Sequence, residues 1–192
     1  MKRNIFIPAA VFALVLLLAA GAWAWFTYRA APSAGPLTAG TVQIEINEHG
    51  FKDIVDWHPG SAATKKVSVK TRGTKCAYVR LSLTPIWGRL EGDTFVAEPG
   101  LPVDKVTLDW NEEHWVCAEG WYYYREVLCP DDEETELLLE SVTLAPDPGG
   151  DYDGKILRIV VAAEAVQASH EAYRDAWGLN ALPEGVAEYA AP

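Results

Sequence analysis

Apolar and polar residues alternate with a period of two in several short stretches of the chain, which is the pattern of half-buried β-strands. The stretches with this pattern are residues 41–46, 66–70, 77–83 and 106–110, and residues 136–144 and 156–167 are the longest further strand candidates. In the third of them Arg80 and Ser82 are predicted to face away from the core. Turn-forming pairs such as Pro59-Gly60 and Pro99-Gly100 separate the stretches. The pattern predicts an all-β fold, an antiparallel sandwich of about eight strands.

The rest of the chain shows less periodicity. Residues 115–124 are predicted to form a hairpin that turns at Ala118, Glu119 and Gly120. Residues 169–177 predict one short C-terminal helical turn with Ser169 as its N-cap. Segments without a clear pattern flank the sandwich domain, which is assigned to residues 41–179. They are a flexible N-terminal arm, 25–40, and a loosely attached tail, 180–192.

The N-terminus has the pattern of an export signal. Lys2 and Arg3 precede an uncharged apolar run over residues 5–26, which contains the small residues Ala22 and Ala24 at an A-x-A site. Residues 1–24 are therefore predicted to be a signal peptide, removed by a signal peptidase so that Trp25 becomes the first residue. The alternative is a retained anchor, since the run is long enough to span a bilayer. Either alternative places the rest of the chain outside the cytoplasm, and the only membrane contact expected is through an uncleaved N-terminus.

Charge narrows the set of partners. The 192 residues carry 16 basic and 27 acidic side chains, a formal net charge of −11 at pH 7. An acidic surface of this kind argues against nucleic acids and anionic membrane surfaces as partners.

The three cysteines are Cys76, Cys117 and Cys129. Outside the cytoplasm one pair is expected to oxidise. The expected pair is Cys117 and Cys129, because they flank the predicted hairpin and are close in sequence. Cys76 is then a free thiol, and its pairing with either of the other two is the alternative.

Motifs for catalysis or cofactor binding are absent from the sequence: it contains no G-x-S-x-G, no H-E-x-x-H and no glycine-rich phosphate loop. No cofactor is expected and the chain is not expected to be an enzyme. The histidines are dispersed and favour surface positions; they are His49, His58, His114 and His170. The acidic groups at 131–134 and at Asp151 and Asp153 lack EF-hand spacing and favour solvated turns, although calcium binding at the latter stays open.

Aromatic residues are unusually dense between residues 110 and 124. On a strand, Trp121 and Tyr123 face one side while Tyr122 and Tyr124 face the other. One side fills the core. The other is an exposed aromatic surface, is covered by another chain, or belongs to a cross-strand ladder within the sandwich. Such a surface also leaves sugar binding open.

Taken together, five stretches resemble the camelysin/TasA-like family of bacterial exported proteins, which a SipW-type signal peptidase processes. In chain order they are residues 24–27 (AWFT), 37–44 (LTAGTVQI), 71–80 (TRGTKCAYVR), 121–124 (WYYY) and 163–168 (AEAVQA), followed by 176–178 (AWG). Three features depart from the family pattern: Tyr28 replaces an acid, Thr71-Arg72 replaces Asn-Thr, and the cysteines are additional.

The resemblance implies a jelly-roll-like sandwich and a structural role in the biofilm matrix or on the cell surface of a Gram-positive bacterium. We therefore expect a secreted subunit that binds other copies of itself to form fibres. Trp25, Phe26, Thr27 and Tyr28, at the start of the arm, are the expected assembly residues, because apolar side chains there lack an obvious core of their own. A binding module for a glycan or a protein is the second expectation, and a camelysin-like surface metallopeptidase the third.

Overall fold

A computed structural model of the chain describes residues 28–30, 42–49 and 58–190. Ten strands are present in these ranges, two more than the approximate number that the pattern predicted. The strands are β1 (Tyr28–Ala30), β2 (Ile44–Asn47), β3 (Ala62–Thr71), β4 (Ala77–Glu91), β5 (Thr94–Ala97), β6 (Val106–Trp110), β7 (Trp115–Ala118), β8 (Trp121–Tyr124), β9 (Leu139–Leu144) and β10 (Ile156–Gln167). They form two antiparallel sheets, which confirms the all-β sandwich.

The larger sheet contains six strands in the order β1-β10-β4-β8-β7, with β5 paired to the far end of β4. The smaller sheet has the order β2-β3-β9-β6. The pairing of β4 with β10 is the longest in the molecule and runs without a register shift from Gly88 opposite Ile156 to Ala77 opposite Gln167. This pairing is the centre of the larger sheet.

The core lies between the two sheets. On β4 and β10 every second side chain points into it, among them Val79, Leu81, Val161 and Ala165, all at most 1 % exposed. The facing sheet contributes buried aliphatic residues from three strands, and they are Ile44, Val67, Val69, Leu139, Val142 and Leu144. Burial of this apolar surface is the main stabilising contribution to the fold.

The predicted hairpin is confirmed as β7 and β8, joined by Glu119 and Gly120. Both loop residues have positive φ, 51° and 79°. A two-residue loop with positive φ at both positions matches the twist of the flanking strands, and glycine adopts this conformation without a steric penalty.

Two terminal predictions are corrected. Residues 28–30 of the predicted flexible arm form β1, which pairs with β10. The tail is not loose: through Tyr189 it packs on the larger sheet, and Leu182 and Val186 join a cluster around Tyr78 and Tyr173. These contacts connect residues far apart in sequence, so no local sequence pattern predicts them.

The predicted helical turn is present but begins later than expected. Ser169–Glu171 form a 3-10 turn, and helix α1 spans Tyr173–Trp177 with Ala172 at its N-cap. Ser169 is thus not the N-cap. Gly178, in the left-handed region at φ 71°, ends the helix.

The predicted Cys117–Cys129 disulfide is wrong. The bond joins Cys76 to Cys129, and Cys117 on β7 is an exposed free thiol. A bridge between Ala77 and Leu128 brings the two bonded cysteines together, because each is the neighbour of a bridged residue. Proximity in sequence misled the prediction, since sheet pairing decides which α-carbons come within bonding reach.

Removing this disulfide is predicted to destabilise the fold substantially. It links residues separated by 53 positions, and closing a loop of that length contributes about 4 kcal/mol in the chain-entropy model. Urea unfolding of a Cys76→Ser/Cys129→Ser variant should show a loss of roughly 2–4 kcal/mol. The matched control is Cys117→Ser, which should unfold like the wild-type chain; an equal loss in both variants would contradict the assignment.

Candidate assembly site

The outer edge of the larger sheet is formed by β10 and by the short strand β1. The backbone N–H of Ala168 donates to the carbonyl of Cys76, at 2.9 Å, on the β4 side. Because successive residues of a strand direct their N–H and C=O groups to opposite sides, the even-numbered residues of β10 bond to β4. The odd-numbered residues, Leu157 to Gln167, therefore direct theirs to the outer edge.

Strand β1 occupies part of this edge. Tyr28 lies opposite Ala165 and Ala30 opposite Ala163. Two residues further along the same register, Pro32 would lie opposite Val161. Proline has no N–H to donate, so a ladder extended in this register would lack one hydrogen bond at Pro32. Among the described residues, nothing pairs with the outer edge of β10 over residues 156–162.

One half of the sheet's outer face carries a buried arginine. The guanidinium of Arg80 lies 4.1 Å from the ring centre of Trp121 and 4.6 Å from that of Trp177. It also bonds to the carboxylate of Glu164 on β10, with Nη2 and Oε2 2.7 Å apart. Arg80 Nη1 also donates a hydrogen bond to the hydroxyl oxygen of Tyr123, at 3.1 Å. An arginine held this way combines an ion pair with cation–π contacts.

The C-terminal segment covers this half of the outer face. Helix α1 supplies Trp177. Two backbone N–H groups hold the chain beyond it: Ala187 donates to the Arg125 carbonyl at 2.7 Å, and Tyr189 donates to the Tyr78 hydroxyl at 2.8 Å. Burial raises the pKa of the Tyr78 phenol, which favours its neutral form. The aromatic surface on Trp121 and Tyr123 is thus covered by the chain's own C-terminus.

The other half of the outer face is uncovered by the described residues. Val160 on β10 is 40 % exposed and Leu90 on β4 is 50 % exposed. Between them Phe95 packs over Gly88, where a Cβ atom would lie only 2.5 Å from Phe95 Cζ. The guanidinium of Arg158 lies 4.0 Å from the Phe95 ring centre. This half presents an apolar surface with one basic residue.

A polar cluster lies on the smaller sheet. Ser68, 1 % exposed, donates a hydrogen bond to Glu134 and lies 2.9 Å from His49 Nε2. The amide of Asn47 donates to the same Glu134 carboxylate at 2.8 Å. In a hydrolase triad the carboxylate bonds to the histidine nitrogen that faces away from the serine. Here Glu134 lies on the serine side, so the arrangement differs from that of a triad. The hydrogen bonds of the cluster connect β2, β3 and the segment before β9.

The carboxyl group of Glu134 remains ionised in this cluster. Burial opposes its ionisation, but the hydrogen bonds from Ser68 and Asn47, with the charges of Lys70 and His49, outweigh it and lower its pKa. The group is therefore a structural anion at neutral pH.

Most of the residues singled out in the sequence for cleavage and assembly lie in the part of the chain that the structure does not describe. They include the predicted cleavage-site residues Ala22, Ala24 and Trp25 and the predicted assembly residues Phe26 and Thr27. Tyr28 lies in β1, at the edge of the larger sheet. The candidate calcium residues Asp151 and Asp153 are exposed in the turn before β10.

Among residues 42–49 and 58–190, no group of three or more His, Cys, Asp or Glu side chains is placed to hold a metal ion. The described part of the chain also contains no helix of the length and apolarity needed to cross a bilayer.

Comparison with known proteins returned no match: no family model, no curated protein and no solved structure is similar to this chain.

Sequence reasoning identified the outward direction of Arg80 but missed its partners. Glu164 lies 84 residues away along the chain, and Trp177 lies in the C-terminal helix. A buried arginine requires a counter-charge, so the opposite charges at matching positions of two long strands were the available signal.

Loss of the Glu164 charge is predicted to destabilise the fold. Glu164→Gln leaves the Arg80 guanidinium, 8 % exposed, without its counter-charge. Breaking a buried pair in this way costs about 3–5 kcal/mol, which chemical denaturation should detect. The control is Glu171→Gln, which removes the exposed partner of Arg174 and should have little effect. Equal effects of the two variants would show that the Arg80 pair is not a buried one in solution.

The Glu134 cluster predicts a pH-dependent contribution to stability. Since folding lowers the pKa of Glu134, its contribution is present above the unfolded pKa and is lost as the pH falls through the folded value. At pH 7, Glu134→Gln should therefore lower the free energy of unfolding by roughly 1–3 kcal/mol.

The difference in the free energy of unfolding between Glu134→Gln and the wild-type chain should shrink in acid, below a pH of about 4. Thermal unfolding across a pH series measures it, with the exposed neighbour Glu133→Gln as control. A difference that is constant with pH would contradict an ionised Glu134.

Proposed function

We propose that this chain is an exported structural protein of the bacterial cell surface or biofilm matrix, which self-assembles into fibres through its N-terminal arm. The observation that supports the proposal is β1: three residues of the arm lie as an added strand on the edge of β10. An arm that already adds a strand to this sheet has the chemistry needed to add one to the sheet of another copy.

Exchange of the arm between copies has a small energetic cost. Within the described part of the arm, Tyr28, Arg29 and Ala30 pair with β10, so few of the described hydrogen bonds break when the arm leaves. The same three residues of a second copy restore the same pairs, because the donor and acceptor sequences are identical. Domain swapping of this kind forms an interface between copies from the same contacts that exist within one copy.

The arrangement of donor and acceptor favours an open assembly. Each copy donates the arm at its N-terminus and accepts another arm at β10, so the two surfaces that meet are different. Such heterologous contacts extend into filaments when the rotation between copies does not close. The apolar residues Trp25 and Phe26 lie three and two residues before Tyr28 in the sequence and gain by burial against a neighbour.

A binding module remains a second candidate function, and the half of the outer face that the described residues leave uncovered favours it. Leu90 and Val160 are exposed there beside Phe95 and Arg158, a mixture of apolar and basic groups that suits a protein partner. A chain lacking residues 25–36 should then keep all of its binding, whereas fibre formation by the arm should be lost.

Cross-linking at the arm distinguishes exchange from self-pairing. Ala30 and Ala163 lie opposite each other in the β1–β10 register, where α-carbons are about 5.5 Å apart, within disulfide reach. We expect an Ala30→Cys/Ala163→Cys variant, in a Cys117→Ser background, to oxidise between copies. Non-reducing electrophoresis should then show a ladder of covalent oligomers.

The single Ala163→Cys variant is the control and should give no ladder. A double variant that oxidises only within its own chain, leaving a cross-linked monomer, would mean that the arm pairs with its own sheet and that the proposed assembly is wrong.

A further inference from the structure

The uncovered part of the β10 edge has a symmetry that the arm does not use. Residues 156–162 form a stretch of seven whose central residue is Ile159. Within it Leu157, Ile159 and Val161 direct their backbone N–H and C=O groups outward, as derived above from the Ala168–Cys76 bond. An apolar edge with unpaired backbone groups is a template for another strand.

We propose that this stretch pairs with the same stretch of a second copy, antiparallel and about a two-fold axis at Ile159. The two six-stranded sheets then form one continuous sheet across a symmetric dimer. The proposal goes beyond arm exchange and does not depend on it, since it uses residues of β10 that β1 leaves uncovered.

The register satisfies every outward backbone group of the stretch. Ile159 lies opposite Ile159 of the second copy, and Leu157 lies opposite Val161 of the second copy. These are the residues that direct N–H and C=O groups to the edge, and each such pair exchanges two hydrogen bonds in an antiparallel ladder. A register shifted by one residue would place outward groups opposite inward ones.

The side chains of the outer face also fit this register. Arg158 lies opposite Val160 of the second copy, and the reverse holds by symmetry. The aliphatic part of the arginine side chain can then cover Val160, which is 40 % exposed in the single chain. No two like charges are opposite each other within the stretch, as cross-strand stability requires.

The ends of the stretch leave room for the second copy. Strand β1 ends at Ala30, opposite Ala163, one position before Ala162. In the proposed register Ala162 lies opposite Ile156 of the second copy, the first residue of its β10. Gly154, at φ 68°, turns the preceding chain, so the paired stretch begins where β10 begins.

The chain's own arm is a poor occupant of this stretch. In the register of β1, Pro32 and Pro36 would lie opposite Val161 and Leu157. Both positions require a backbone N–H, which proline lacks. A second copy of β10 contains no proline and offers a donor at each position.

Two substitutions of Val160 test the dimer with equal costs of introducing a charge. Val160→Lys places a cation opposite Arg158 of the second copy, twice in each dimer, whereas Val160→Glu places an anion there. Sedimentation of the full chain in mild detergent at low salt should show a concentration-dependent dimer. We expect Val160→Lys to raise its dissociation constant about ten-fold or more and Val160→Glu to leave it unchanged or lower it.

A cross-link provides a second measurement. In a Cys117→Ser background, Arg158→Cys/Val160→Cys should form a reducible covalent dimer, because residue 158 lies opposite residue 160 of the second copy. Residues two apart on one strand are about 6.7 Å apart with parallel side chains, so the pair does not close within one chain. The single Val160→Cys variant is the control.

The outcomes decide the proposal independently of arm exchange. A wild-type chain that stays monomeric, equal effects of Val160→Lys and Val160→Glu, or a double cysteine variant without covalent dimer would each overturn the β10 contact. Arm exchange gives a ladder of all sizes in the Ala30→Cys/Ala163→Cys variant, while the β10 contact stops at two copies. Either result can occur without the other.

Discussion

The uninterrupted pairing of β4 with β10 is the constraint on which the rest of the molecule depends. Because it has no bulge, one alternation holds from Ile156 to Gln167. Odd-numbered residues of β10 send their side chains into the core and their backbone groups to the edge; even-numbered residues do the opposite. The position of Glu164 beside Arg80, the exposure of Val160 and the outward N–H of Ile159 all follow from this single register.

The same register explains which parts of the fold the sequence could predict. Strands β6 and β10 were predicted with their observed bounds. In β6 apolar and polar residues alternate, whereas β10 is a long, mostly apolar segment between turn signals. Strand β1 has three residues, too few for any period to appear. The tail has no alternation either, and it is held by Tyr78, which lies 111 residues from Tyr189. Contacts of that kind depend on the assembled sheet and not on local composition.

The site was predictable to a similar extent. That Arg80 faces outward followed from its neighbours, whereas its enclosure by Trp121 and Trp177 required the C-terminal helix to fold back over the sheet. That segment covers one half of the outer face, and none of the other described residues covers the second half. Arg80 therefore holds the C-terminal helix on the larger sheet through its contact with Trp177, and this decides which half of the outer face is covered.

Because the fold contains a disulfide, its stability depends on whether the surroundings are oxidising or reducing. Cys76 precedes β4, and Cys129 follows the hairpin and lies at the start of a 3-10 turn, so the bond ties the central strand to the connection between the sheets. Cytoplasmic thiol buffers keep such a bond reduced, and a chain without it loses stability comparable to a good part of a typical domain's total. The polypeptide is thus easier to unfold while its thiols are reduced, and it becomes more resistant to unfolding once the bond has formed.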